Sequence, residues 1–89
     1  MPRFLVFHNT PEQGTQDQAF SGAQQVAALL GPGIEWLNSW WIPGEDPKLV
    51  CEWDAPDIET VLSCMGPINA LFPVEDYHEV EWINPEWYL

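Results

Sequence analysis

Positive charge is the scarcest feature of this chain. Arg3 and Lys48 stand alone against fourteen acidic residues, giving a formal net charge of −12. Binding nucleic acid requires a basic footprint that displaces counterions from phosphates, and two cations do not supply one, so a nucleic-acid partner is excluded. An anionic membrane surface is disfavoured on the same ground. Long apolar runs are missing as well: none approaches the ~18 residues that a membrane span needs. Cysteine is limited to Cys51 and Cys64, which form no Cys-x-x-Cys pair and read as buried thiols rather than a bridge. The chain has no Ser/His/Asp set, no glycine-rich phosphate loop and no paired carboxylates at a defined helical spacing. Met1-Pro2-Arg3-Phe4 lacks the basic, apolar and small-residue parts of a signal peptide, which makes the cytoplasm the expected location.

What remains is a single small domain over residues 1–89, with six tryptophans among its bulky rings. A chain of this size buries only about 60–65% of its unfolded surface, so large rings matter to its stability. Arg3 to His8 is rich in aromatic and β-branched residues and reads as a strand, with Phe4 and Val6 on one face and Leu5 and Phe7 on the other. A strand apolar on both faces belongs inside a sheet covered on both sides. After a polar loop at Asn9 to Gly14, Thr15 reads as a helix N-cap, and Gln18 completes a capping box. Ala19, Phe20, Ala23, Val26, Ala27 and Leu30 draw an apolar stripe at helical spacing, weakened slightly by Gly22. Gly31-Pro32-Gly33 ends that helix, with Gly31 placed for a left-handed C-cap.

The stretch from Ile34 to Ala55 reads as a hairpin and carries Trp36, Trp40, Trp41 and Trp53. Strict alternation sets Trp36, Asn38, Trp40 and Ile42 against Glu35, Leu37, Ser39 and Trp41. On the second strand of the hairpin, Leu49, Cys51 and Trp53 alternate with Lys48, Val50 and Glu52. Asp54 to Asp57 then opens a second helix, with Ile58, Val61, Leu62 and Met65 as its buried stripe and Gly66-Pro67 as its stop. Ile68 to Asp76 reads as a loop plugged by Leu71-Phe72-Pro73. Tyr77 to Ile83 reads as the last strand, and Glu86 to Leu89 as an aromatic tail suited to anchoring a partner or the second protomer of a dimer.

The order β-α-β-β-α-β is the ferredoxin-like arrangement: a four-stranded antiparallel sheet in the order 4-1-3-2, with both helices on one face. The helix-free face then carries large apolar side chains. A homodimer stacking sheet on sheet, a dimeric α-β barrel, is the expected way to cover it.

Several short motifs share one order and spacing: Gly31-Pro32-x-Ile34-x-Trp36-x-x-Ser39, Cys51-x-Trp53-x-Ala55-Pro56, Phe72-Pro73, Glu79-Val80 and Asn84-Pro85. Together with the Met1-Pro2-x-Phe4 opening they resemble an uncharacterised family of ~90-residue dimeric ferredoxin-like proteins that includes small nickel-responsive, nickel-binding members. His8-x-Thr10-Pro11-Glu12 is similar to a second uncharacterised family of small dimeric α-β barrels. Both resemblances imply the same fold, and the first implies a divalent transition metal such as nickel. Its members carry a histidine in the second helix. Here Ser63, Cys64 and Met65 occupy that region, so no ligand carries over residue by residue.

From the residues themselves, two binding chemistries stand out. If His8 points to the helix-free face, it joins Glu79 and Glu52 there as a metal-ligand nucleus. Alternatively, Trp36 and Trp41 with Tyr77 and His78, joined by Trp40, Trp53 and Trp82, line an aromatic pocket for a small aromatic or apolar molecule, and one of the histidines or Tyr77 supplies an acid/base group. Dimeric barrels of this type resemble small monooxygenases and isomerases, and that resemblance implies a reaction of such a kind. A third reading is a protein-interaction dimer without catalysis.

Overall fold

The computed structural model describes residues 1–10, 16–69 and 72–89. Four strands, β1 (Arg3–Asn9), β2 (Glu35–Ile42), β3 (Lys48–Asp54) and β4 (Val74–Val80), alternate with two helices, α1 (Gln16–Ala27) and α2 (Ile58–Cys64). Short 3-10 turns follow α2 at Gly66–Ile68 and β4 at Pro85–Tyr88. The sheet runs β2-β3-β1-β4 with every neighbouring pair antiparallel, the ferredoxin-like order expected from the sequence. No helix among the described residues is long and apolar enough to cross a membrane.

One sheet face carries the core. Phe4 and Val6 of β1 and Cys51 and Trp53 of β3 cluster with Val26 of α1, Val61, Cys64 and Met65 around α2, and Ile68 and Phe72 beyond it. Both helices therefore lie on this face. α2 starts as read: Asp57 is its N-cap, its carboxylate accepting from the Thr60 backbone N–H at 2.8 Å and from the Thr60 hydroxyl at 2.6 Å. Those two bonds hold the Asp57 carboxyl below its ordinary pKa. Within the stripe of α2, Cys64 is buried where Leu62 was expected, Leu62 being only half-buried.

α1 is rotated from the expected stripe. Val26 is buried, Ala23 and Leu30 are half-buried, and Phe20 and Ala27 are exposed. The reason lies at Gly22, which is itself buried: a Cβ there would overlap Ile68 Cγ2. The helix turns its smallest residue onto the 3-10 turn, and Phe20 swings outward with that rotation. Beyond Ala27 the coil tightens, the Leu29 N–H bonding to the Val26 carbonyl at 2.9 Å. The left-handed glycine after it is Gly33, at φ 85°, rather than Gly31. The proposed Thr15 cap lies outside the described residues, as does Leu71 of the plug. Phe72 of the plug is fully buried.

Two irregularities correct the strands. In β2, Trp36 pairs with Trp53 but Asn38 pairs with Glu52, so Leu37 is a bulge residue. Alternation changes phase there. Trp36, Ser39 and Trp41 share the helix side with Trp53, Cys51 and Leu49, while Asn38, Trp40 and Ile42 turn to the other face. Strict alternation had grouped Trp36 with Trp40 and Ser39 with Leu37. In β4, pairing begins at Val74, earlier than the expected Tyr77, and ends at Val80 opposite Arg3. β1 has no further residue to offer, so Glu81 to Ile83 continue unpaired rather than as strand.

Candidate functional site

The bulge builds the site. It brings Trp36 over Trp53, the two indoles stacked at 5.7 Å between ring centroids and 11° between planes. Trp36 Nε1–H donates to Ser39 Oγ at 2.7 Å, and the Ser39 hydroxyl donates to Cys51 Sγ at 3.1 Å. This chain of donors runs along one wall of a cavity of about 80 Å3 between β2–β3 and α1. Trp41 and Leu49 continue the sheet wall, and Ala23, Val26, Met65 and Ile68 form the opposite one. Phe20, 58% exposed, stands at the rim.

The wall is electrically quiet. No Asp, Glu, Lys, Arg or His lines the cavity among the described residues. Its one titratable group, the Cys51 thiol, is pushed up to about 11 by burial, with the Ser39 hydrogen bond pulling weakly the other way. The thiol is therefore protonated near neutral pH and accepts from Ser39 as a neutral sulfur. A nucleophilic cysteine needs the opposite shift. Trp53 is 0% exposed, lines the same cavity, and its Nε1–H has no hydrogen-bond partner among the described residues.

Of the expected ligand-pocket residues, Trp36, Trp41, Tyr77 and His78 separate into two pairs. Trp36 and Trp41 meet at the cavity. Tyr77 and His78 lie on β4, with β1 and β3 between them and β2. Tyr77 is largely exposed, and His78 holds Asp76 at 2.9 Å and meets Phe7 edge-on. Neither can act on a molecule in the cavity. Trp53 also lines the cavity, as expected, whereas Ser39 and Cys51 are not among the expected site residues, and only the bulge, which leaves no mark in a period of two, places Ser39 on their side.

The expected metal nucleus is not assembled. His8 is fully buried on the Phe4/Val6 side, beneath the helices rather than on the helix-free face. Its Nδ1–H donates to the Phe72 carbonyl at 2.8 Å, leaving Nε2 as a lone-pair acceptor with no partner among the described residues. Burial lowers the His8 pKa, the Phe72 carbonyl opposing that only in part. Glu52 sits on the other face, ion-paired with Arg3 at 3.5 Å. Glu79 is opposite Phe4 and exposed at the sheet edge. The sheet itself separates His8 from Glu52, and the described residues contain no cluster of three or more His, Cys, Asp or Glu able to hold a metal. The residues present do not fit the metal that the family resemblance implies.

The helix-free face forms a broad open groove of about 790 Å3. Leu5 and Val50 line it, with Trp40 and Ile42 on one side and Trp82 and Ile83 on the other. The Arg3 guanidinium lies 5.7 Å from the Trp82 ring, and Trp87 of the tail meets Trp82 edge-on at 5.4 Å. The tail thus packs against its own chain, although Trp87 stays 61% exposed.

Comparison with protein-family models, with curated proteins and with solved structures gives no match.

Proposed function

We propose that the protein is a binding domain that takes up a small apolar molecule without transforming it. The observation that carries this is the cavity beneath Trp36: a largely apolar, tryptophan-walled space with no acid, base or active nucleophile along its described lining. General acid–base catalysis needs a titrating group within reach of the substrate. Tyr77 and His78 are on β4, separated from β2 by two strands, so the same fact that supports binding counts against a monooxygenase- or isomerase-like reaction there. Buried free thiols at Cys51 and Cys64 suit a reducing, cytoplasmic setting.

A screen of neutral, ring-containing compounds read by tryptophan emission tests the proposal, with Ala23→Leu as the cavity-filling control. Saturable changes in the wild type that vanish in Ala23→Leu support it. If no compound acts up to its solubility limit, the reading fails.

A second reading, homodimerisation through the helix-free face, is favoured by Trp40, Ile42, Trp82 and Ile83, which are 50%, 47%, 57% and 64% exposed around one groove. Exposed apolar surface concentrated in this way marks an association face, and Arg3 offsets Glu52, one of the two carboxylates that line the groove, the other being Glu81. Light scattering should give a dimer mass for the wild type and a monomer mass for Trp40→Glu. A monomeric wild type would remove this reading while leaving the cavity untouched.

A further inference from the structure

The two edges of the sheet are unlike. β4, at one edge, carries Glu75, Asp76 and Glu79, and charge along an edge strand keeps a second chain from pairing with it. β2, at the other edge, has Glu35 at its start and no further charge. The bulge at Leu37 guards only that first part of the strand. From Asn38 to Ile42 the ladder with β3 is regular, and the segment Asn-Ser-Trp-Trp-Ile contains neither proline nor glycine. Its outer side is open among the described residues: Asn38, Ser39 and Trp40 are all exposed, although they point alternately to the two faces. A regular, uncharged, apolar edge of this kind is a template for a further strand.

Charge decides which strand. All but one of the fourteen acidic residues lie outside residues 18–44, and neither cation lies within them. α1 and β2, which face each other across the cavity, therefore form a flank almost free of charge. A basic partner is drawn to carboxylates and finds none along Asn38–Ile42. Two copies of so acidic a chain repel unless they meet where carboxylates are absent, and this edge meets that condition. A second copy also brings the same open edge with it.

We infer that the Asn38–Ile42 edge pairs antiparallel with the same edge of a second copy, about a two-fold axis perpendicular to the sheet, joining the two four-stranded sheets into one. That axis sets the two α1 helices side by side on one face. Phe20, Ser39 and Trp40, the exposed members of the cavity lining, stand along this flank, so the paired copy also covers the cavity mouth. The helix-free groove stays open, and the pairing is independent of association through it.

Sedimentation equilibrium on Trp82→Glu tests the inference. Trp82 lies across the groove from Trp40 and Ile42, so this variant removes association through the helix-free face and leaves the β2 edge intact. A contact as short as Asn38–Ile42 is small, so pairing belongs to high protein concentration. Trp82→Glu should pass from monomer to dimer between about 10 μM and about 1 mM. Over the same range hydrogen exchange at the outward-pointing amides of Asn38–Ile42 should slow about threefold, while amides of β4 keep their rates. Adding Trp40→Lys puts a charge at the middle of the edge, on a side chain that is 50% exposed, and should hold the protein monomeric throughout. Where that double variant does not fold, the exchange pattern of Trp82→Glu decides alone. A Trp82→Glu protein that stays monomeric at 1 mM, while the wild type dimerises, would overturn edge pairing and leave the helix-free reading standing. A dimer that survives Trp40→Lys, or protection of Asn38–Ile42 that does not change with protein concentration, would overturn it as well.

Discussion

Gly22→Ala should destabilise the protein, although alanine is the better helix former. In an exposed helix interior the exchange gains up to about 1 kcal/mol. Here the new Cβ would overlap Ile68 Cγ2 and stand 3.3 Å from Ile68 Cβ. Ile68 is only 4% exposed and belongs to the core cluster, so it has little room to withdraw. Inserting a methyl group into a packed core costs about 1–3 kcal/mol, and an outright overlap belongs in the upper part of that range. The net loss is then about 1–2 kcal/mol, or about 4–16 °C in Tm for a domain of this size. Urea unfolding should show a lower midpoint at unchanged slope. The relief of strain has a further signature: Ile68→Ala in the Gly22→Ala background should cost less than Ile68→Ala alone, a coupling that a double-mutant cycle reads directly. A Gly22→Ala variant as stable as the wild type, with additive behaviour in the cycle, would show that α1 does not rest on the 3-10 turn. Since Ala23, Val26 and Ile68 line the cavity, the same variant should also weaken any ligand found in the tryptophan-emission screen by shifting one wall.

Two further outcomes follow from buried titratable groups. The His8 pKa lies below its ordinary value of 6.5 in the folded protein, so the unfolded chain takes up the proton first as pH falls. Stability due to His8 should be fully present above about pH 6.5 and decline as pH drops from there towards the folded value; His8→Gln should flatten this slope between pH 7 and 5, and an unchanged slope would refute the assignment. Cys51 is 2% exposed with its pKa at about 11, and Cys64 is 8% exposed. Both should react with a thiol reagent at neutral pH only as fast as the protein opens, so rapid labelling of either in native buffer would contradict the packing around it.

Much of the fold was legible because its determinants are local. The two apolar faces of β1, the Asp57 cap and the Gly-Pro stops each depend on a few neighbouring residues, and together they fix the order of elements. What was not legible depends on contacts distant in sequence. Phe20 fits a helical stripe as well as Val26 does, and only the approach of Ile68 to Gly22 decides which of them turns inward. His8 was correctly grouped with Phe4 and Val6, but the pattern could not say which face the helices cover. Once Phe4 and Val6 are core, His8 is core with them, and it cannot reach Glu52. That the helix-free face is apolar, by contrast, was readable before any register was known, because β1 carries Phe4 and Val6 on one face and Leu5 and Phe7 on the other.

The site itself turns on Leu37. Ser39 stands three positions after Trp36, an odd offset that in a regular strand puts them on opposite faces. The bulge alone brings both to the helix side, where Trp36 Nε1–H reaches Ser39 Oγ at 2.7 Å. Deleting Leu37 would join Trp36 directly to Asn38, whose partners Trp53 and Glu52 are already adjacent on β3. The ladder would become regular with every other residue kept on its present face. The deletion variant should therefore fold, retain the stacked Trp36–Trp53 pair in its near-ultraviolet circular dichroism, and lose the extra local twist that a bulge supplies. Inserting one alanine after Ser39 should do the reverse. It would either move Trp41 out of the core or force Trp40 into it, and the variant should lose cooperative unfolding. If the deletion unfolds and the insertion is tolerated, β2 does not have the register described, and the alignment of Trp36, Ser39 and Cys51 along the cavity wall falls with it.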